Sequence, residues 1–224
     1  MTKAYLINPN ELIRDYNEVI DEAQKKTFFT VGIELQKEEI DNLQTYIDKL
    51  SVQRKEFAEK NNGNEANLIY CFERLAMIIQ SELKMLVSLK EDEMAQAWDI
   101  LVDCQVHLGT VIRNYPFESD HLEHYLNRLH SYEKTLFPKM IFNSYGGFVK
   151  QSHCSICKSD YGDCDHIKGK LYNGEMCTRN ITEVELEEIS VVENPANKHC
   201  RVISIETNGI KKDVLTLREI STKS

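Results

Sequence analysis

Four cysteines and two histidines fall between His153 and Cys177, in a chain with seven cysteines altogether. Cys154-Ser-Ile-Cys157 is a C-x2-C pair. Six residues then intervene before Cys164, which opens the C-x-H pair Cys164-Asp-His166. Thiolates and imidazoles are the usual donors to tetrahedral Zn2+, and a C-x2-C turn lets two sulfurs converge on one ion. The turn signal Tyr161-Gly162-Asp163 brings the second pair back onto the first. The expected ligand set is therefore Cys154, Cys157, Cys164 and His166, with Cys177 as an alternate to His166. Four protein ligands fill the coordination sphere and leave no position for a reactive water, so the Zn2+ expected here is structural. No catalytic residue is assigned.

Two resemblances extend this reading. A C-x2-C followed by Asp165-His166 is similar to the opening of HNH nucleases, where such a histidine activates water beside a hard divalent ion. In this chain His166 is also accounted for as half of the C-x-H pair. Over residues 153–202, the pattern C-x2-C, then C-x-H-x2-G-x2-Y-x-G, resembles a zinc-knuckle segment of phage and mobile-element proteins. The E-x-S-x-V-x-x-P-A-N run that follows, here Glu188, Ser190, Val192, Pro195, Ala196 and Asn197, is similar to the closing strand of phage prohead proteases. There its glutamate supports a histidine and a serine nucleophile, and of these only Glu188 has a counterpart by position. The resemblance implies a structural knuckle, with this run packed on it as a strand, in a mobile-element or antiviral-defence setting.

Other residue groups carry less chemistry. His121 and His124 stand at i,i+3 in "HLEHYLNRLH", with His130 further on, and read as a solvated helix face. Lys168, Lys170 and Arg179 flank Tyr172 but share their segment with Asp160, Asp163, Asp165 and Glu175, so the local charge is near zero. Cys71, Cys104 and Trp98 fall on apolar helical faces and are expected in the core. Cys200 is expected in a β core.

The elements that must position the cluster divide near residue 140. Before it the apolar spacing is helical. Asn8-Pro9 starts one helix, and a second is expected from Glu38 to Lys60, ending at "KNNGN". A segment apolar on several sides, "EANLIYCFERLAMIIQSELKMLVSL", reads as a buried central helix. Two more follow, one opened by Glu91-Asp92-Glu93 and one capped at Ser119 or Asp120. "TFFTVGIELQ" (27–36) reads as a strand or a connector. After Pro138 the texture is β-rich, in five short stretches separated by Gly, Asn and Pro signals. The fold class expected is α+β: a helical bundle over 1–139 and a small zinc-stabilised β-rich domain over 140–224.

Composition bounds the function. The chain has 224 residues and 42% hydrophobic content, with a net charge of −9. Such a surface repels nucleic acid and anionic membrane unless a local basic patch intervenes. No apolar run approaches the length of a membrane span, and the polar N-terminus lacks a signal-peptide core, so a cytoplasmic location with reduced thiols is expected. These features predict an interaction or assembly subunit that works with protein partners. Metal-dependent cleavage and nucleic-acid binding are the alternatives.

Overall fold

A computed structural model describes residues 5–220; Met1–Ala4, at the head of the polar N-terminal stretch, and Ser221–Ser224 lie outside it. Among the described residues the architecture is α+β, five helices followed by six strands. Helix α1 spans Pro9–Lys25, α2 Ile33–Glu59, α3 Gly63–Lys90, α4 Met94–Asn114 and α5 Asp120–Leu136. The Asn8 side chain caps α1 by accepting from the Asn10 N–H at 3.1 Å. Helix α3 is the central member, with Leu68, Ile69, Phe72, Ile78, Ile79, Leu83 and Met85 all at 2% exposure or less. Its all-round apolarity is explained by neighbours on several sides: α1, α2 and α4 all pack against it. Cys71, Cys104 and Trp98 are buried in the same core.

Two helix boundaries differ from the sequence pattern. Helix α2 starts at Ile33 rather than Glu38, because "TFFTVG" is a connector and not a strand. The fully buried Gln36 side chain holds it there, donating to the carbonyls of Lys26 and Phe28. Glu91-Asp92-Glu93 does not form the first turn of α4: Glu91 and Asp92 end α3, and Glu93 is the N-cap of α4. Asp92 takes a left-handed φ of 64°, and the amides of Asp92 and Glu93 bond back to the Leu89 and Ser88 carbonyls, a Schellman stop. Asn61, at φ 56°, ends α2 in the same way.

Among the described residues the strands form three separate antiparallel pairs: β1 (Phe142–Cys154) with β4 (Arg179–Val192), β2 (Leu171–Tyr172) with β3 (Glu175–Met176), and β5 (Ser204–Thr207) with β6 (Ile210–Asp213). Both short hairpins turn on Asn-Gly, Asn173-Gly174 and Asn208-Gly209, each pair at positive φ as a type I′ turn requires. The stretch after β6, expected as strand, is mostly turn, and it returns Val214 and Leu215 to the core.

Strands β1 and β4 build a long two-stranded ribbon. Its root is Phe142 opposite Val192, packed on the core beside Trp98, whose ring centroid is 6.2 Å from that of Phe142. The loop after β4 is fastened to α4: the Trp98 indole N–H donates to the Lys198 carbonyl, and His199 lies between Asp99 and Asp103. Cys200 belongs to this loop rather than to a β core, with its carbonyl accepting from the Asn143 amide at 2.8 Å. At the far end Cys154 pairs with Arg179 and runs into the cysteine cluster.

The ribbon's register shifts at Gly147, where Glu187 has no residue opposite it. A Cβ at Gly147 would stand 2.3 Å from the Glu185 carbonyl oxygen. Gly147→Ala is therefore expected to force the strands apart locally, at about 1–3 kcal/mol. Amide exchange of residues 184–188 measures this and should accelerate, while the helical amides stay unchanged.

Candidate metal centre

The cluster is built on the end of the ribbon. Cys154 is the last residue of β1, and the next turn folds so that the Ile156 amide points at the Cys154 sulfur, 3.4 Å away. The Lys158 amide returns to the Cys154 carbonyl at 3.0 Å with Lys158 at φ 64°, closing the C-x2-C turn and presenting Cys157 on the same side. Asp160 then accepts from the Gly162 amide at 2.8 Å and caps the single 3-10 turn Tyr161–Asp163. That turn delivers Cys164 and His166. Two tyrosines latch the loop, the Tyr172 hydroxyl accepting from the Ile167 amide and the Tyr161 hydroxyl from that of Lys168, both at 2.9 Å. The Tyr172 ring also meets the imidazole of His166 edge-on, centroids 4.5 Å apart.

The donor atoms of Cys154, Cys157, Cys164 and His166 all lie within 4.8 Å of one another. Among the described residues no other group of three or more such donors converges. Sulfurs sharing a tetrahedral zinc at about 2.3 Å stand about 3.8 Å apart, so the spacing suits a single ion. The Nδ1 of His166 is buried with no hydrogen-bond partner, an atom that an ion would satisfy; the Nδ1 of His153 is likewise unpartnered. Cys154 is fully buried, Cys157 is exposed, and Cys164 and His166 are intermediate. Cys177 lies behind Cys154, also fully buried, with the two sulfurs 3.7 Å apart.

Thiol acidity is graded across the group. Burial pushes the Cys154 thiol up, but the amides of Cys157 and Ile156 and the thiols of Cys177 and Cys164 outweigh it, bringing Cys154 down to about 7. Cys157 is lowered by the Ser159 amide and hydroxyl. Burial raises Cys164, and burial with the adjacent Cys154 raises Cys177 to about 11. The two thiols of the C-x2-C turn are thus the readier thiolates, the form that binds a metal.

The helices fix the cluster through the β2–β3 hairpin. Asn173 Nδ2 donates to the Ala58 carbonyl at 2.9 Å, the Gly174 amide donates to Asn67 Oδ1 at 2.7 Å, and Arg54 donates to the Gly174 carbonyl at 2.9 Å. Arg54 is held in turn by Glu73 at 2.6 Å. Asn114 donates to the Gly169 carbonyl and accepts from the Leu171 amide. Helices α2, α3 and α4 therefore all contribute to placing the cluster. These anchors were not legible as functional residues; the Asn173-Gly174 dipeptide announced a turn but not what the turn docks against.

Several other sequence candidates occupy separate places. His121 and His124 are exposed and border a 480 Å3 groove between α1, α3 and α5, with no third donor. Arg179 stacks over the Tyr161 ring and donates to Ser152 Oγ, so it supports the knuckle. Lys170 borders a separate cleft beside Arg113 and Tyr115. Glu188 and Ser190 do not pack on the knuckle: they lie in the root half of the ribbon, opposite Gly146 and Ser144, with Ser190 Oγ 3.4 Å from the Glu188 carboxylate. Compared with known protein families, with curated proteins and with solved structures, the chain matches none. No helix among the described residues is long and apolar enough to cross a membrane.

Proposed function

We propose that the chain is a non-enzymatic, zinc-containing interaction and assembly subunit whose metal works on structure. The observation that carries this is the convergence of Cys154, Cys157, Cys164 and His166 within 4.8 Å, at the point where the ribbon meets the helix-anchored hairpin. Three thiolates and one imidazole suit zinc above harder divalent ions, and four protein donors leave no open position for a substrate or water. A two-stranded ribbon is marginal on its own in water, so an ion clamping its end supplies what packing does not. The zinc-knuckle resemblance of residues 153–202 supports a mobile-element or antiviral-defence setting, with protein partners and a cytoplasmic location.

Metal analysis of the purified chain tests this reading, with one zinc per chain expected. Cys157→Ala and His166→Ala should each release it, and Cys177→Ala should retain it. Retention in His166→Ala with loss in Cys177→Ala would replace the ligand set by four cysteines and free the histidine. Magnesium- or manganese-dependent DNA cleavage, abolished by His166→Ala in a folded protein, would overturn the non-enzymatic reading.

A further inference from the structure

A cleft of 660 Å3 opens between the start of α1, the end of α4 and the knuckle loop, and none of the four metal donors lines it. Two cations reach it, Arg113 from the last turn of α4 and Lys170 from the residue before β2. Arg113 runs along the knuckle loop, its Nε 4.0 Å from where a Cβ on Gly169 would stand. Both side chains are exposed, and among the described residues neither pairs with a carboxylate; the Arg113 guanidinium donates to Thr110 Oγ1 at 3.2 Å. Asp160, Asp163, Asp165 and Glu175 balance Lys170 in the sequence, yet no carboxylate lines the cleft. Three rings line it as well. Phe117 stands 5.5 Å from Tyr115 at 83° and 6.3 Å from Tyr5 at 50°, centroid to centroid. Asn10, exposed in the first turn of α1, adds a side-chain amide.

Small-ligand sites are concavities of roughly 300–1,000 Å3 that combine aromatic walls with a few convergent polar groups. We propose that this cleft binds a nucleoside monophosphate, its base against the Tyr5, Tyr115 and Phe117 rings and its phosphate between Arg113 and Lys170. The lining selects that chemistry from both ends. Every base has a π face that stacks on aromatic side chains. An arginine fork takes two phosphate oxygens while a lysine supplies a point charge. The Asn10 amide offers a donor and an acceptor together, the pairing that a base edge presents. A bare phosphate would leave the rings unused, and an uncharged nucleoside would leave both cations without an anion. The chain carries −9, so its general surface repels such a ligand and the attraction has to come from this local pair. Lys170 belongs to the knuckle, so that wall rests on the structural-metal reading; Arg113 and the three rings belong to the helical part.

Titration calorimetry tests it, on full-length protein whose zinc content is determined first, with adenosine 5′-monophosphate as the probe. Adenosine and inorganic phosphate serve as the two partial ligands. One nucleotide per chain is expected, with a Kd between about 10 µM and 1 mM, and each partial ligand should bind at least tenfold more weakly. Arg113→Ala and Lys170→Ala should each weaken the nucleotide at least tenfold. Lys168→Ala removes a charge two residues away but outside the cleft, and should not. Wild-type amide chemical shifts add a readout independent of any variant, with nucleotide-dependent changes expected at 113–117 and 170–171. Metal content reports the metal reading and nucleotide affinity reports the cleft, so the two fail separately. In protein carrying one zinc per chain, no saturable nucleotide binding would overturn the proposal. Binding indifferent to both cation variants, or adenosine or phosphate binding as tightly as the nucleotide, would overturn it too.

Discussion

Stripping the metal from the Cys154–His166 cluster is expected to melt the knuckle and the ribbon while the five helices stay folded. Between Ser155 and Thr178 only Gly174 and Cys177 are buried, so this segment has no apolar core to fold around. The ribbon beyond it is two strands with most side chains exposed. Structural zinc contributes about 10–16 kcal/mol of apparent binding free energy in small modules, as much as a whole domain's stability. The helices, by contrast, share a continuous core from Tyr16 to Leu129 that involves none of the four donors. Adding a strong chelator should therefore leave the helical circular dichroism intact and open residues 150–180 to trypsin at Lys150, Lys158, Lys168 and Lys170. Cys157→Ser should behave as the chelated wild type does. Unchanged amide protection in 142–192 after metal removal would count against a structural ion.

The sequence made the helices and the cluster legible for different reasons. Helices α3, α4 and α5 were readable because an apolar stripe at helical spacing has few other uses, and Cys154, Cys157, Cys164 and His166 because thiols and imidazole at such spacing are rarely accidental. What escaped was decided by contacts distant in sequence. "TFFTVG" fits a strand or a connector by residue type, and Gln36 decides for the connector by holding the Lys26 and Phe28 carbonyls to the start of α2. Glu91-Asp92-Glu93 looked like the acidic first turn of α4 because a left-handed aspartate ending α3 leaves no distinct mark. The residue types predict only short β-rich stretches after Pro138, whereas Gly146-Gly147 accommodate a bulge and the ribbon's strands continue past it to Cys154 and back to Arg179. Cys177 stayed an alternate ligand in the sequence, and the structure puts it 3.7 Å from Cys154 without adding it to the converging four.

Replacing Glu82 is expected to have a large effect within the helices. Nothing in its local sequence marks it, yet its side chain is 0% exposed at the α3–α5 contact. It accepts from Tyr125 at 2.7 Å, Arg128 at 2.7 Å and Tyr132 at 3.2 Å. Glu82→Ala removes the acceptor for all three donors, and about 2–4 kcal/mol should be lost. The lower part of that range applies if Arg128, 40% exposed, turns to water. Glu82→Gln keeps an acceptor for the tyrosines without a buried charge, so it should cost less. The pH dependence has a definite sign. Burial raises the Glu82 carboxyl above its ordinary value despite Arg128 and the tyrosines. The folded state thus favours the protonated form, and that contribution is complete below the unfolded value, about 4.3, and disappears as pH rises through the folded one. Gln imitates the protonated form, so wild type should lose stability relative to Glu82→Gln as pH rises through that window and hold a constant difference above it. Urea unfolding with the metal site saturated, at several pH values, measures both effects. A Glu82→Ala midpoint equal to wild type would mean that the three donors find other partners and that α5 is held by its apolar face alone.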